Sequence, residues 1–138
     1  TCDKLIHAAA IVSFKKEDSE LLQKVNVEGT ENVMNVALSS SIKKVAYISS
    51  IATLGRTSTS DIVNEDCMFQ LSDKESNYAV SKYHAEQEVW RSSQEGLDVV
   101  ILNPSVILGP GDWRKGSSQI FENSEAIDIR SKGIIIFN

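Results

Sequence analysis

Tyr78 and Lys82 stand four residues apart in a stretch with the residue pattern of a helix. At this spacing two side chains lie one turn apart on the same helix face. A phenol with a pKa of about 10 exchanges protons poorly at neutral pH, but a nearby ammonium group favours the phenolate and lowers that pKa. The pair therefore predicts an acid–base group tuned toward working pH. The same spacing also occurs on ordinary helix surfaces, so its meaning depends on the surrounding segments.

The composition is that of one globular domain with a normal hydrophobic core. Of the 138 residues, 41% are hydrophobic and 24% are charged, and the net charge is −5. Because no basic stripe is present, neither nucleic acid nor an anionic membrane is expected as the main partner. No apolar run reaches the length of a transmembrane helix. Cys2 and Cys67 lack metal-type spacing, which predicts two reduced thiols, no metal site and a cytoplasmic location.

Strand-like and helix-like segments alternate along the chain. Apolar runs predict three buried parallel strands and helical spacing predicts two long helices, with strands at residues 4–10, 44–49 and 97–102 and helices at 17–40 and 77–93. This order makes two crossover units, which predicts an α/β fold with a parallel sheet and helices packed on its faces. A short helix at residues 116–123 and a strand at 132–137 are also expected.

Several residues of the first half have predicted local roles. Asp18 or Ser19 is expected to cap the first long helix. Gly29 inside that helix costs up to about 1 kcal/mol relative to alanine, which a close crossing over the sheet would explain. Asn26 is either solvated or, on a side facing the sheet, a positioned polar group. His7 is expected to be a packed or hydrogen-bonded residue rather than a base.

Small or polar residues follow each predicted strand. Residues 8–10 follow the first strand, Ser49 and Ser50 the second, and residues 103–105 the third, while Tyr78 opens the second long helix. In open parallel sheets, ligands bind outside the carboxyl ends of the strands, which all lie at one edge. The four segments therefore predict a single binding site.

Five stretches resemble, in order, those of the extended short-chain dehydrogenase/reductase family, also described as the NAD-dependent epimerase/dehydratase family. They are residues 6–10 (IHAAA), 26–33 (NVEGTENV), 47–50 (YISS), 78–82 (YAVSK) and 102–111 (LNPSVILGPG). The resemblance implies a partial Rossmann-type, doubly wound parallel sheet. Residues 1–105 would belong to the dinucleotide-binding domain and residues 106–138 would begin the substrate-binding lobe.

The same resemblance implies roles for individual residues. Tyr78 would be the catalytic acid–base group, Lys82 would hold the nicotinamide ribose and lower the tyrosine pKa, and Ser50 would bind the substrate oxygen. The cofactor would be NAD or NADP, and no metal is implied. The implied cofactor-binding residues are Ala8, Ala9, Ala10, Asn26, Ser49, Tyr78, Lys82, Leu102, Asn103, Pro104 and Ser105.

Within the family, the chain is more similar to the dihydroflavonol reductase and 3β-hydroxysteroid dehydrogenase branch than to the nucleotide-sugar epimerases. Thr53-Leu-Gly55 replaces the Val-Tyr-Gly of the sugar enzymes, and the run at 106–110 is apolar. An oxidoreductase acting on a small ketone, aldehyde or alcohol is therefore expected. A nucleotide-sugar epimerase or dehydratase and a catalytically silent NAD(P)-binding regulatory protein are the alternatives. Members of the family commonly pair through the two long helices, which implies a homodimer.

The family's glycine-rich phosphate-binding turn has no counterpart in these 138 residues, so we interpret them as a fragment of a longer enzyme. The N-terminal glycine-rich unit and most of the C-terminal substrate lobe would be missing. Pyrophosphate binding relies on the backbone N–H groups of that turn and on the helix behind it. The isolated chain should therefore be inactive and bind neither NADH nor NADPH tightly. Micromolar binding in a calorimetric titration would contradict this interpretation.

Overall fold

The structure is a computed structural model that describes residues 2–55, 63–72, 75–105 and 107. The chain divides into two compact units, residues 1–103 and 104–138. All helices and strands described below belong to the first unit. The short helix and the strand predicted after residue 115 lie outside the described residues. The predicted functional division at residues 105 and 106 stays a prediction.

Three parallel strands form one sheet, in the order β1 (Lys4–His7), β2 (Lys44–Ile48) and β3 (Asp98–Leu102). Lys4 pairs with Lys44, and Ile48 pairs with Leu102. Because the strands are parallel, their carboxyl ends lie at the same edge of the sheet, as predicted. The predicted α/β, partial Rossmann-type fold is confirmed.

The first long helix is one continuous helical stretch with a change of pitch in its middle. A three-ten turn (Lys16–Asp18) leads into α1 (Ser19–Leu22), then a π-helical segment (Gln23–Glu28), then α2 (Gly29–Leu38). The predicted helix over residues 17–40 is confirmed, but it is not a regular α-helix along its whole length.

The predicted side-chain cap of this helix was wrong. Neither Asp18 nor Ser19 caps it, because the three-ten turn already supplies backbone acceptors for its first N–H groups. Those acceptors are the carbonyls of Lys15 and Lys16. The Asp18 carboxylate instead accepts a hydrogen bond from the Ser13 hydroxyl.

The second long helix, α3 (Asn77–Gln94), matches its prediction closely. It begins at Ser76, whose hydroxyl accepts a hydrogen bond from the Ala79 N–H at 3.1 Å. It ends at Gly96, which has a φ of 104° and so takes a left-handed conformation that glycine adopts without strain. The N–H groups of Gly96 and Leu97 donate to carbonyls of the last turn, the pattern of a Schellman cap.

Both long helices pack on the same face of the sheet. Val45 and Tyr47 of β2 form the centre of the core, together with helix residues such as Met34, Ala85 and Val89. We expected helices on both faces. The described helices share one face because right-handed crossovers that always step in the same direction place their helices on the same side.

Two glycines allow a paired stability test. A Cβ added at Gly29 would meet only the Lys24 carbonyl at 3.8 Å, so the close crossing proposed for Gly29 is wrong. A Cβ at Gly55 would lie 1.8 Å from the Met68 carbonyl oxygen, which no side-chain motion can relieve. Gly55 also donates its N–H to the Cys67 carbonyl at 2.8 Å.

We expect Gly29→Ala to raise the free energy of unfolding by about 0.5–1 kcal/mol, because alanine is the better helix former. Gly55→Ala should lower it by about 1–3 kcal/mol, since overpacking forces the backbone to move. Denaturant unfolding of the two variants measures both changes. Equal effects of the two substitutions would contradict the packing described here.

Candidate active site

Ser50 and Tyr78 meet at the carboxyl edge of the sheet. Ser50 follows β2 and caps a three-ten turn (Ile51–Thr53), where its hydroxyl accepts the Ala52 N–H at 3.1 Å. Tyr78 lies in the first turn of α3, and its phenol interacts with the Ser50 side chain. Two hydroxyl groups from different elements can therefore approach one substrate oxygen.

Burial raises the pKa of the Tyr78 phenol, and the interaction with Ser50 opposes this rise. The predicted lowering of that pKa by Lys82 stays a prediction. A phenol with a raised pKa is a weaker acid, so proton transfer from Tyr78 would depend on a nearby positive charge that lowers this pKa.

Lys82 is buried, with only 2% of its surface exposed. Its Nζ donates to the Tyr47 hydroxyl at 2.8 Å and to the Ile48 carbonyl at 2.9 Å. Burial lowers the pKa of Lys82 to about 8, although the nearby Glu86 carboxylate opposes this change. An ammonium has three donors, and these two bonds leave one of them unused. The ribose contact implied for Lys82 stays a prediction.

Tyr47 belongs to a buried polar chain that sequence reasoning did not identify. Its hydroxyl, which receives the Lys82 hydrogen bond, also interacts with Thr30, and burial raises its pKa. The Thr30 hydroxyl in turn lies 3.0 Å from Nε2 of His7. The prediction that His7 is packed and hydrogen-bonded is confirmed. A signal for Tyr47 was present in the sequence. Side chains alternate between the two faces of a strand, so Tyr47 lies on the opposite face from Ala46 and Ile48, and this is the face that packs against the helices.

Asn26 is a positioned polar group rather than a solvated one. It is buried in the π-helical segment, where its Oδ1 accepts the Ile11 N–H at 2.9 Å. Its Nδ2 donates to the Ile11 carbonyl at 3.1 Å and to the Ser81 hydroxyl at 3.0 Å. Both amide protons are therefore used within the chain, where they fix the loop after β1 against α3. A direct cofactor contact by Asn26 stays a prediction.

Glu86 is the centre of a second network that sequence reasoning missed. Its Oε2 accepts from the Ser49 hydroxyl at 2.5 Å and from Asn103 Nδ2 at 3.0 Å, and lies 2.9 Å from the Thr53 hydroxyl. The side chains of Ser49 and Asn103, both predicted as cofactor contacts, are thus engaged by a carboxylate of α3. The available signal was the position of Glu86, one turn beyond Lys82 on the same helix.

The remaining predicted site residues differ in placement. Ala8, Ala9 and Ala10 follow β1 and are exposed, so their backbone is open to a ligand. Leu102 ends β3, and its carbonyl accepts the Ser49 N–H at 2.7 Å. The second unit begins with Pro104 and Ser105, whose position relative to the site is not described.

Two kinds of site are absent from the described part of the chain. No group of three or more histidine, cysteine, aspartate or glutamate side chains there could hold a metal ion. Among the same residues, no helix is long and apolar enough to cross a membrane.

Comparison with known proteins identifies the family. A family model of an NAD-binding domain, described as male sterility protein, matches residues 1–135. The chain belongs to the extended short-chain dehydrogenase/reductase family. The resemblance read from the five sequence motifs is therefore confirmed, and so is the cofactor class, NAD or NADP, at the level of the family.

Relatives include both reductases and epimerases. A putative dihydroflavonol 4-reductase of Synechocystis sp. is 37% identical over 111 residues, covering 80% of this chain and 32% of that protein. UDP-glucose 4-epimerase of Vibrio cholerae is 31% identical over 115 residues, covering 78% of this chain and 34% of the epimerase. The crystal structure of gox2253 superposes with a TM-score of 0.72 at 35% identity, covering 86% of this chain and 36% of the other. The chain thus spans about a third of the length of the relatives it matches.

Proposed function

We propose that the protein is an NAD(P)-dependent carbonyl reductase, or alcohol dehydrogenase in the reverse direction, of the dihydroflavonol reductase type. The observation that carries the proposal is the interaction of the Ser50 and Tyr78 side chains at the edge where the buried Lys82 ammonium binds the end of β2. The similarity to the putative dihydroflavonol 4-reductase supports the reductase type. The substrate class is a small, weakly polar ketone or aldehyde.

The proposed chemistry divides between the cofactor and three side chains. The cofactor supplies the hydride. The Ser50 hydroxyl polarises the substrate carbonyl by a hydrogen bond, and the Tyr78 hydroxyl gives its proton to the same oxygen. The third donor of Lys82 holds a ribose hydroxyl at the edge where Ala8, Ala9 and Ala10 expose their backbone. The phenol is protonated at neutral pH, and a positive charge near it would lower its pKa and make it a better proton donor.

An epimerase or dehydratase acting on a nucleotide sugar is the second candidate, favoured by the similarity to UDP-glucose 4-epimerase. The same tyrosine and lysine would serve that chemistry. Assays of an aromatic or steroid ketone with NADPH or NADH, and of a UDP-sugar with NAD, distinguish the two. The intact set of Ser50, Tyr78 and Lys82 weighs against a silent regulatory protein, which has no need for all three.

We also propose a cytoplasmic location, because the two free cysteines fit a reducing compartment.

Removing the Tyr78 hydroxyl tests the proposal. Tyr78→Phe should lower kcat by about 100-fold to 10,000-fold, because the proton donor is lost while the ring remains. Cofactor affinity, followed by nucleotide fluorescence, should change little.

Tyr83→Phe is the matched control, because Tyr83 lies on the same helix but stacks on Phe69 with ring centroids 4.5 Å apart. It should behave like the wild-type protein. A Tyr78→Phe variant with wild-type turnover would contradict the acid–base assignment.

We also propose that the two long helices carry a homodimer interface. Leu21, Val25, Val36 and Trp90 are between 36% and 65% exposed on these helices, whereas Val89 is buried. Exposed apolar side chains grouped on helix surfaces commonly mark a partner site. Sedimentation velocity should show a dimer, and Val36→Glu should shift it toward monomer because a charge would be buried. A wild-type monomer at high protein concentration would contradict the interface.

A further inference from the structure

The Glu86 carboxylate joins three separate segments at the site edge. Ser49 comes from the end of β2, Thr53 from the following three-ten turn, and Asn103 from the residue after β3. All three place a polar side-chain atom within 3.0 Å of Glu86 Oε2. A charged acceptor makes stronger hydrogen bonds than a neutral one, so this one oxygen holds all three segments against α3.

Two of these segments also contact Ser50 directly. The Thr53 hydroxyl lies 2.8 Å from the Ser50 carbonyl, and Asn103 Nδ2 lies 3.3 Å from the same oxygen. Asn103 Nδ2 further donates to the Thr53 hydroxyl at 2.8 Å. The backbone of Ser50 therefore rests on the side chains that Glu86 engages, while its hydroxyl is shared with Tyr78 and the Ala52 N–H.

We propose that Glu86 is a positioning residue, which fixes the turn that carries Ser50 so that the Ser50 and Tyr78 hydroxyls address the same substrate oxygen. This inference rests on the proposed reductase function. Glu86 need not touch substrate or cofactor to fulfil this role. Glu86 acts through Ser49, Thr53 and Asn103, because the contacts with its carboxylate hold each of these side chains in one orientation.

Glu86 also has an electrostatic effect on Lys82. The titratable groups that interact with Lys82 are His7 on β1, Tyr47 on β2 and Glu86 on its own helix, and Tyr78 interacts with Tyr47. Burial and the Lys82 charge lower the pKa of His7, and burial raises the pKa values of both phenols, so these three are neutral near pH 7. Glu86 thus supplies the negative charge that opposes deprotonation of the buried ammonium.

Three variants separate position from charge. In Glu86→Gln, the amide oxygen can accept the three inner hydrogen bonds, so their geometry is kept and the charge is lost. The NH2 group replaces the oxygen that accepts the long, exposed hydrogen bond from Trp90 Nε1 at 3.4 Å, and that N–H then turns to water. In Glu86→Asp, the charge is kept but the side chain is too short to reach all three partners. Glu88→Gln is the control, since Glu88 lies on the same helix but pairs with Arg91 at the surface, at 2.7 Å.

The variants are compared in the full protein by kcat, KM, cofactor affinity and pH profile. Glu86→Asp should lower kcat about 10-fold or more with cofactor affinity unchanged, because Ser50 is displaced. Glu86→Gln should keep kcat within a few-fold below pH 7. It should move the alkaline limb of the profile about one pH unit lower, since Lys82 loses its proton earlier. Glu88→Gln should match the wild-type protein on every measure.

Two readouts do not depend on turnover. Lysine 13Cε NMR titration, with Lys82→Met to assign the signal, should show a lower Lys82 pKa in Glu86→Gln. A crystal structure of Glu86→Asp should show the Ser50 hydroxyl displaced from Tyr78, with the contacts of the Ser50 carbonyl to Thr53 and Asn103 broken. These measurements decide the inference even if the protein reduces no carbonyl compound, an outcome that would overturn the proposed function alone.

The inference would be overturned if Glu86 contributed only to the stability of the fold. In that case Glu86→Gln and Glu86→Asp would unfold at lower temperature, while kcat per folded molecule, the pH profile and the Lys82 titration all stayed at wild-type values. Unchanged values in both variants, with an intact contact between Ser50 and Tyr78, would likewise reject Glu86 as a positioning residue while leaving the reductase function standing.

Discussion

The buried ammonium of Lys82 is the constraint on which the rest of the first unit depends. Removing such a charge from water costs several kcal/mol unless it is paired and hydrogen-bonded. The Tyr47 hydroxyl, the Ile48 carbonyl and the charge of Glu86 together compensate this cost. Each comes from a defined place, so β2 must end at Ile48 and α3 must cross that end. One side chain thereby helps to fix the sheet edge at which the ligand is proposed to bind.

A second buried polar residue fixes the other side of the site. The Asn26 side chain uses both amide protons and its oxygen in hydrogen bonds with Ile11 and Ser81. These bonds tie the loop after β1 to α3. Asn26 lies within the π-helical segment. One turn later the Thr30 hydroxyl donates to the Asn26 carbonyl at 2.6 Å, lies 3.0 Å from His7 Nε2 and interacts with Tyr47. π-Helical segments often occur at functional sites. Here the wider turn lies where a buried helix residue must reach a loop rather than the sheet.

The parts of the fold that follow from local patterns could be predicted from the sequence. The three strands, the extent of α3 and the meeting of Ser50 with Tyr78 follow from β-branched runs, helical spacing and the geometry of parallel sheets. The π-helical segment, the missing helix cap and the partners of Lys82 could not be predicted. Each depends on which of several neighbouring polar groups forms a given hydrogen bond, and tertiary packing decides this. Glu86 shows this most clearly, because charged helix residues are usually solvated and its three partners lie up to 37 residues away in sequence.

The competition for Lys82 also bears on how the proton donor is tuned. Lowering the pKa of Tyr78 would require the ammonium to approach that phenol. Leaving Tyr47 entirely would strand a buried hydroxyl without its donor, at a cost of about 1–3 kcal/mol. The third, unused donor of Lys82 avoids this conflict, because it can face the ligand while the other two stay on Tyr47 and Ile48. The two buried hydrogen bonds of Lys82 can therefore persist while its third donor is used. A proton donor works best when its pKa lies near the working pH, so a positive charge close to Tyr78 would improve it for its proposed task in carbonyl reduction.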